Sequence, residues 1–232
     1  MSSADWGRRS GIWPGARPIP SPTPGRFITL EGGEGTGKST QAELLVAALK
    51  ARGIDVLASR EPGGSPGAEE IRALLVSGEP GRWDGMSEAL LHFAARRDHV
   101  ERTIRPALRA GRWVVCDRFV DSTIAYQGQG QGLGAEPLKT LQRLVIGDFA
   151  PDLTLVLDLA VEQGLARAAA RGNGEDRYER MGEDFHRRLR QAFREIAAGD
   201  PERCALIDAT GDPAAVHGAI MATLAERWGI AP

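Results

Sequence analysis

The chain has 232 residues, 42% of them hydrophobic and 26% charged, and its formal net charge is −2. These values predict one globular domain with a substantial core, and they exclude the strongly basic field typical of nucleic-acid-binding and membrane-surface proteins. No apolar run approaches the roughly 18 residues that a membrane-spanning helix requires. Two distant cysteines, Cys116 and Cys204, without a signal peptide predict reduced thiols in a cytoplasmic protein, and the histidines lack metal-ligand spacing with them.

Residues 1–25 differ from the rest of the chain because they are dense in proline and glycine and lack apolar periodicity. This composition predicts a disordered N-terminal extension. A targeting peptide is the alternative, although Asp5 and the prolines disfavour the amphipathic helix that such a peptide forms. Residues 26–232 are then predicted to form a single domain.

From residue 26 onward, short apolar runs alternate with helical patterns. The apolar runs, each predicted to be a strand, cover residues 27–30, 54–59, 113–116, 153–157 and 205–207. The helical patterns cover residues 38–52, 66–77, 85–110, 137–146, 160–171, 180–198 and 213–228. Such alternation predicts an α/β fold in which helices cover both faces of a parallel sheet.

The first predicted strand and helix are joined by a glycine-rich segment. Between Gly32 and Ser39 it matches Gly-x-x-x-x-Gly-Lys-Ser, the pattern of a loop that holds nucleotide phosphates. Such a loop points backbone N–H groups at a polyphosphate, and the following helix adds the positive end of its dipole. Lys38 is expected to pair with the outer phosphates, and the Ser39 hydroxyl to bind magnesium. The predicted nucleotide-binding residues are Gly32, Gly33, Glu34, Gly35, Thr36, Gly37, Lys38, Ser39 and Thr40.

The predicted strand 113–116 is followed directly by Asp117 and Arg118. In phosphate-loop enzymes, an aspartate at this place lies beside the loop and holds magnesium, often through water. Arg118 would add a fixed cation at the edge of the sheet where ligands bind. A structural ion pair between the two is the alternative. Ser39 and Asp117 are therefore the candidate metal ligands.

The class of phosphate-loop protein is narrowed by what accompanies the loop. A GTPase would carry Asn-Lys-x-Asp, whereas the single asparagine, Asn173, precedes glycine. A small kinase or a nucleotide-binding regulator remains. Glu34 favours the kinase, because a carboxylate inside a phosphate-binding loop must point outward, towards an acceptor hydroxyl beside the terminal phosphate. A solvated loop acid is the alternative.

Four motifs, in the same order along the chain, resemble those of the bacterial thymidylate kinase family. They are the phosphate loop at 27–41, Arg-Glu-Pro-Gly-Gly at 60–64, Phe-Ala-Ala-Arg at 93–96, and Asp-Arg-Phe-Val-Asp-Ser-Thr-Ile-Ala-Tyr-Gln-Gly at 117–128. The resemblance implies a P-loop nucleoside monophosphate kinase with a doubly wound five-stranded parallel sheet. It also implies magnesium-dependent transfer of a phosphate from ATP to dTMP, giving dTDP for DNA precursor synthesis, and a homodimer.

The resemblance implies roles at the acceptor phosphate and sugar. Glu34 approaches the 3′-hydroxyl of the acceptor sugar. Arg118 grips the acceptor phosphate, for which a planar guanidinium fork is well suited, and Arg60 is a second candidate. Glu61 is expected to support either the metal or an arginine, and both alternatives stay open.

Specificity is expected to depend on two residues of the 117–128 motif. By resemblance, Tyr126 crowds the sugar 2′ position and so favours deoxyribose. Thr123 faces the thymine edge, although an ordinary helix-start residue is the alternative. A kinase for another nucleoside monophosphate is the main rival interpretation, and these two residues would distinguish it.

The predicted helix 85–110 leaves the base-binding pair ambiguous. The family pairs an aromatic ring, stacked on thymine, with an arginine one helical turn later, and residues three or four apart share a helix face. Phe93 with Arg96 is the favoured pair. A gapless comparison also places His92 four positions before Arg96, and strict i, i+4 spacing from Phe93 selects Arg97. In the favoured pair, Arg97 is a surface charge and His92 a partly buried neighbour.

The segment at about 167–180 resembles the mobile lid of the family. Arg167 and Arg171 lie at i, i+4, and the glycines that follow would let the chain close. A solvated basic helix end is the alternative. Gly35 stands where other branches of the family carry an arginine, so the catalytic cation is expected from the lid. Arg171 or Arg177 is the preferred candidate, with Arg167 behind them.

The implied reaction needs no general base, because a phosphate monoester with a second pKa of about 6 is already largely anionic at neutral pH. The obstacle to the reaction is repulsion between two polyanions. The loop lysine, magnesium, the acceptor-binding arginine and a lid arginine would together neutralise this negative charge. The predicted catalytic residues are Lys38, Arg118, Arg171 and Arg177. An ATP-binding regulator without turnover is the alternative from another class, and the acceptor-side residues argue against it.

Overall fold

The computed structural model of the chain describes residues 25–170 and 177–230. Its sheet has five strands, all parallel, in the order β2-β3-β1-β4-β5. Their bounds are Phe27–Glu31 (β1), Val56–Arg60 (β2), Trp113–Asp117 (β3), Leu153–Asp158 (β4) and Cys204–Asp208 (β5). The predicted doubly wound five-stranded sheet is therefore confirmed. The predicted extension at residues 1–25 lies, apart from Gly25, outside the described residues.

Helices connect the strands and pack on both faces of the sheet. Their bounds are Lys38–Ala51 (α1), Pro66–Val76 (α2), Gly85–His99 (α3), Arg105–Arg109 (α4), Val120–Thr123 (α5), Ala135–Ile146 (α6), Val161–Ala169 (α7), Glu183–Gly199 (α8) and Pro213–Trp228 (α9). In the part of the chain that the structure describes, no helix is both long and apolar enough to cross a membrane.

Two π-helical segments, Val100–Ile104 and Ile124–Gly130, depart from the sequence prediction. The first divides the predicted helix 85–110 into α3 and α4. Pro106 has no N–H to bond the carbonyl four residues earlier, so the regular helical ladder is interrupted there. The second continues α5, in a stretch whose glycines and polar residues predict no helix. The second segment borders the candidate site described below, because Tyr126 and Gln127 line its cavity.

The core is divided between the two faces of the sheet, as the alternation along β1 requires. Ile28 and Leu30 point to the face covered by α1 and α9. Phe27 points to the opposite face, where its ring meets Phe119 edge-on at 5.0 Å between ring centroids. Successive side chains of a strand face opposite sides, so a central strand buried on both faces is a continuous apolar run. This explains why the sequence identifies β1 so clearly.

The position of the site follows from the strand order. β1 pairs with β3 on one side and with β4 on the other, so the chain changes direction across the sheet at β1. Ligands of open α/β sheets bind at such a switch point, beyond the carboxyl ends of the strands. The phosphate loop follows β1, Arg60 ends β2, and Asp117 ends β3. All three motifs therefore meet at one edge.

Candidate active site

The phosphate loop encloses its own lysine. Gly32, Gly35 and Gly37 have φ values of 138°, 67° and 89°, which side-chain-bearing residues rarely adopt. The Lys38 ammonium lies inside this curve and donates to the carbonyls of Gly32 at 3.1 Å and Gly33 at 2.6 Å. Burial, together with the nearby positive charge of Arg118, lowers the pKa of Lys38 to about 8. The lysine is therefore poised beside the space that a phosphate would enter.

The two candidate metal ligands contact each other. The Ser39 hydroxyl donates to Asp117 Oδ2 at 2.6 Å, while the buried Asp117 Oδ1 has no hydrogen-bond partner among the described residues. Across those same residues, no three His, Cys, Asp or Glu side chains are grouped to hold a metal ion. A hydroxyl and a single carboxylate fit Mg²⁺, which keeps several waters and takes further oxygens from phosphates. The donor set therefore fits magnesium.

Three predicted acceptor-side residues form one cluster. Arg118 Nη2 donates to both carboxylate oxygens of Glu34, at 3.1 and 3.2 Å, and the Tyr126 hydroxyl donates to Glu34 Oε1 at 2.5 Å. The Arg118 guanidinium also lies 5.0 Å from the centre of the Tyr126 ring. Burial alone would raise the pKa of Glu34, but Arg118, Lys38 and the Tyr126 hydrogen bond together lower it to about 2. Glu34 is therefore a permanent anion at neutral pH.

The backbone at Arg118 explains how its side chain reaches this cluster. Its φ is 71°, in the left-handed region that is uncommon for residues other than glycine. Its own N–H donates to the Leu30 carbonyl at 2.9 Å, and the buried Glu31 carboxylate accepts the next N–H, that of Phe119, at 2.7 Å. The reversal turns the Arg118 side chain towards the phosphate loop. Strained backbone of this kind is held by its surroundings and is common at functional sites.

These residues line one cavity of about 310 Å³ that joins the phosphate loop to the acceptor side. Of the predicted site residues, it is lined by Glu34, Gly35, Gly37, Lys38, Ser39, Arg60, Arg96, Asp117, Arg118, Thr123 and Tyr126. Arg60 pairs with Glu69 at 3.2 Å and is more than half exposed. The cavity has the size of a small-molecule site, with charged groups at one end and a more enclosed end at α3.

The enclosed end is organised by Arg96. Its side chain is 2% exposed, and its Nε donates to Glu61 at 2.7 Å. Its Nη2 donates to the Thr123 hydroxyl at 3.1 Å, whereas its Nη1 has no hydrogen-bond partner within the described chain. Arg97 instead lies at the surface, where it pairs with Glu101 at 3.1 Å. The structure thus places Arg96 in the cavity, Arg97 outside it, and Glu61 beside an arginine.

The structure corrects the prediction that Phe93 stacks on the base. The Phe93 ring is 1% exposed and packs in the core against Leu138, outside the cavity. His92 lines the cavity instead, because neighbouring positions of a helix are rotated by about 100°, and α3 turns His92 towards the cavity and Phe93 towards the core. Burial and the charge of Arg96 lower the pKa of His92 to about 3, so its ring is neutral. Its Nε2 lies 3.1 Å from the Tyr178 hydroxyl.

The lid prediction is corrected at Arg177. This side chain is buried, pairs with the Glu88 carboxylate and donates to the carbonyls of Leu75, at 2.9 Å, and Glu79, at 3.3 Å. It does not line the cavity, although the next residue, Tyr178, does. Its donors already bond the Glu88 carboxylate and two backbone carbonyls, so Arg177 anchors the start of the segment that follows residues 171–176. Arg171, the other preferred lid arginine, lies outside the described residues.

A second cavity of about 260 Å³ lies on the other side of the phosphate loop. Thr36 and Thr40 line it together with Gln41, Arg167 and the segment after β5. Arg167 donates to the Ala209 carbonyl at 3.1 Å, which turns it towards this cavity. Of the two candidate lid arginines that the structure describes, Arg167 and Arg177, Arg167 is the one that lies beside the phosphate loop.

Gly35 is in contact with α7, the helix that leads to the predicted lid. A Cβ at Gly35 would lie 1.9 Å from the carbonyl oxygen of Gly164 in α7. The reciprocal Cβ at Gly164 would lie 2.5 Å from the Glu34 carbonyl oxygen. The two backbones therefore pack without intervening side chains, and an arginine at position 35 would have no room unless α7 moved.

Sequence reasoning missed Gln127. This fully buried side chain donates from Nε2 to Glu88 at 2.7 Å, and its Oε1 has no hydrogen-bond partner in residues 25–170 and 177–230. It lines the main cavity beside Thr123. The signal was present in the sequence, because Thr123 and Gln127 are four residues apart. It was hidden because no helix is predicted there.

Comparison with known proteins agrees with this geometry. The family model described as "Thymidylate kinase" matches residues 30–220. The thymidylate kinase of Rhizorhabdus wittichii is 55% identical over 204 residues, which cover 88% of this chain and 98% of that protein. That of Caulobacter vibrioides is 53% identical over 208 residues, which cover 90% and 100%. The crystal structure of thymidylate kinase from Ehrlichia chaffeensis matches with a TM-score of 0.70 at 35% identity, covering 87% of this chain and 99% of that one. The chain therefore belongs to the thymidylate kinase family.

Proposed function

We propose that this chain transfers the γ-phosphate of ATP to dTMP and releases ADP and dTDP, in a catalytic domain formed by residues 26–232. The observation that carries the proposal is a single cavity that holds both a phosphate loop and an enclosed, polar acceptor pocket. A protein that only binds ATP has no use for the second half of this cavity. Kinases bring two phosphate groups together and stabilise the shared negative charge, which is what Lys38 and Arg118 are placed to do.

The acceptor base is proposed to lie against α3 and the π-helical segment Ile124–Gly130. Arg96 Nη1 is an unused donor and Gln127 Oε1 an unused acceptor, and the two residues line the same end of the cavity. Thymine offers a matching pair, the O4 acceptor and the N3–H donor. Cytosine reverses both groups, so it would leave buried polar atoms unpaired. The neutral ring of His92 supplies an apolar face for the base.

The acceptor sugar and phosphate are proposed to lie between the base pocket and the phosphate loop. Tyr126 would crowd the 2′ position, and Glu34 would accept from the 3′-hydroxyl. An incoming phosphate would compete with Glu34 for Arg118, because that guanidinium can serve either anion. Arg60 would supply a second cation from β2. Binding thus exchanges an internal ion pair for contacts with the ligand.

The donor nucleotide is proposed to span the phosphate loop. Lys38 would leave its loop carbonyls for the outer phosphates, and the base would enter the second cavity beside Arg167. Ser39 and Asp117 would hold Mg²⁺, which when bound supplies positive charge to the phosphate oxygens. Arg171 is the proposed lid cation for the transferred phosphate.

A homodimer is proposed from an exposed apolar surface formed by α2, α3 and α6. Leu74, Leu90 and Leu144, one on each of these helices, are 40%, 50% and 81% exposed. Exposed leucines on adjoining helices are typical of protein interfaces. Sedimentation of a Leu144→Glu variant should give a monomer, whereas Leu206→Glu, on β5, should leave the dimer intact.

We also propose a cytoplasmic location, for which the two free buried cysteines are the support.

The function is tested by measuring ADP release from Mg-ATP with dTMP, dUMP, dCMP, UMP, AMP and GMP, each against a blank without acceptor. A strong preference for dTMP, with dCMP and UMP poor, is expected. A preference for another monophosphate would keep the kinase and discard the base assignment. ATP binding without turnover on any acceptor would leave only a regulatory protein.

A further inference from the structure

We propose that His99 and Ser59 are positioning residues for base recognition. They hold the Glu61 carboxylate in one orientation, and Glu61 in turn aims Arg96 at the pyrimidine. The inference rests on the proposed function, because it assigns a task within the acceptor pocket. Neither residue lines the cavity, so any effect on substrate must pass through Glu61.

The four residues are brought together by two regular periodicities. Ser59 and Glu61 are two positions apart at the end of β2, so they share a face, while Arg60 between them lines the cavity. Arg96 and His99 are three positions apart on α3 and also share a face. One face of a strand end therefore meets one face of a helix. Each contact between them is a hydrogen bond.

The hydrogen bonds form a continuous chain. Ser59 Oγ lies 2.6 Å from His99 Nε2, and His99 Nδ1 lies 3.0 Å from Glu61 Oε1. The second Glu61 oxygen accepts from Arg96 Nε at 2.7 Å. A carboxylate can only accept, so His99 donates from Nδ1 to Glu61, and its other ring nitrogen, Nε2, bonds the Ser59 hydroxyl. With one donor on each oxygen, the carboxylate is fixed in its plane, and the planar guanidinium of Arg96 is fixed with it.

One end of this series of hydrogen bonds is buried, and the other end carries a donor without a hydrogen-bond partner among the described residues. His99 is 0% exposed, and a Cβ at Gly64 would lie 2.3 Å from His99 Nε2 and 2.5 Å from Ser59 Oγ. The backbone of the 62–64 turn therefore covers the pair. At the other end, Arg96 Nη1 has no hydrogen-bond partner among the described residues. A network that served folding alone would have no reason to end on an unused buried donor at the cavity.

The test compares His99→Phe, which removes both hydrogen bonds, with His99→Asn, whose amide can still donate to Glu61. Steady-state kinetics with dTMP and with ATP, and thermal denaturation, are measured for each. We expect His99→Phe to raise KM for dTMP about 10-fold with KM for ATP within twofold, and His99→Asn to restore most of the loss. His217→Phe, on α9, is the control and should change neither constant.

Two outcomes would overturn the inference while leaving the proposed function intact. One is a folded His99→Phe protein whose KM for dTMP stays within twofold of the unchanged protein. The other is an equal rise in both KM values. If the protein without any substitution does not phosphorylate dTMP, the proposed function itself is wrong.

Ser59→Ala provides an independent test, because it deletes one hydroxyl and keeps the helix packing. We expect it to raise KM for dTMP about threefold, as loss of one modest hydrogen bond allows. If Ser59 acts through His99, the double variant Ser59→Ala/His99→Phe should be no worse than His99→Phe alone. Fully additive effects, or no effect of Ser59→Ala on KM for dTMP, would remove Ser59 from the proposal.

Discussion

The charged side chains at the two ends of the main cavity have different kinds of partner. At the acceptor end, charged side chains pair with one another, Arg96 with Glu61 at 2.7 Å and Arg118 with Glu34 at 3.1 Å. At the donor end, Lys38 has backbone carbonyls of its own loop as partners, and burial lowers its pKa to about 8. The acceptor end therefore carries its own counter-charges. The donor end holds a cation whose full counter-charge arrives with the nucleotide.

This difference predicts different consequences of mutation at the two ends. Removing a charged side chain at the acceptor end leaves a buried partner unpaired, so stability and substrate affinity should fall together. Removing the lysine at the donor end breaks no direct ion pair, because its hydrogen-bond partners are Gly32, Gly33 and Thr36. Its loss should lower turnover while the fold stays intact.

The largest effect is expected from Lys38→Ala, which tests the donor end. Without the ammonium, charge on the transferred phosphate loses its fixed partner, and kcat should fall by about 10³-fold or more. The melting temperature should stay within a few degrees of the unchanged protein. Lys50→Ala, at the exposed end of α1, is the matched control and should be fully active. Substantial residual turnover in Lys38→Ala would contradict the phosphate-loop assignment.

A comparison of two arginines sharpens the boundary between catalysis and anchoring. Arg171→Ala should lower kcat by about 10³-fold with little change in stability, as for other cations that lids deliver. Arg177→Met should instead cost about 3–5 kcal/mol of unfolding free energy, because it leaves the buried Glu88 carboxylate without its positively charged partner. The kcat of the folded Arg177→Met protein should stay within about tenfold. Urea denaturation and kcat, measured on both variants, separate the two roles, and the reverse pattern would restore Arg177 as the catalytic cation.

The sheet could be predicted because its strands carry their own signal. Central strands such as β1 and β4 are buried on both faces, so each is a short continuous apolar run, and turns or helices flank it. The segment after β3 could not be predicted, since its conformation depends on distant partners. Ser122 is held by Glu31, 91 residues away along the chain, and Gln127 by Glu88, 39 residues away. Local propensity contains no trace of such contacts.

The errors within the site have a similar origin. Spacing along α3 specifies which residues share a face, but the rotation of the helix about its axis decides which face meets the ligand. Because of that rotation, His92 faces the cavity and Phe93 packs in the core. The sequence also does not distinguish an arginine near the predicted lid that binds a phosphate from one that, like Arg177, pairs with a buried carboxylate.

The pH dependence of stability tests the pairing at the acceptor end. The pKa of Glu34 is lowered from 4.5 to about 2, so its ion pair stabilises the fold fully above pH 4.5 and loses that contribution as pH falls towards 2. The unfolding free energy of Glu34→Gln should therefore lie up to about 3 kcal/mol below that of the unchanged protein at pH 7. The gap should narrow between pH 4.5 and 2. Glu70→Gln, on the exposed side of α2, should follow the unchanged protein, and a gap independent of pH would exclude the lowered pKa.

The smallest effect is expected at His92, because this residue contributes a neutral ring, and not a charge, to the acceptor end. His92→Ala should raise KM for dTMP about tenfold, because stacking of a base on a ring contributes about 1–3 kcal/mol. His92→Phe keeps a flat ring and should stay close to the unchanged protein. Phe93→Leu alters only the core and should lower the melting temperature without changing KM.

The pKa of His92 adds a second readout to this comparison. With a pKa of about 3, the ring is neutral at pH 5.5 and at pH 8, so protonation does not weaken stacking between these values. The ratio of KM values for dTMP between the unchanged protein and His92→Phe should therefore be the same at pH 5.5 and pH 8. A ratio that grows as pH falls would mean that His92 gains a proton in the free enzyme, and so that its ring is open to water. The enclosed acceptor end would then be less closed than its hydrogen bonds imply.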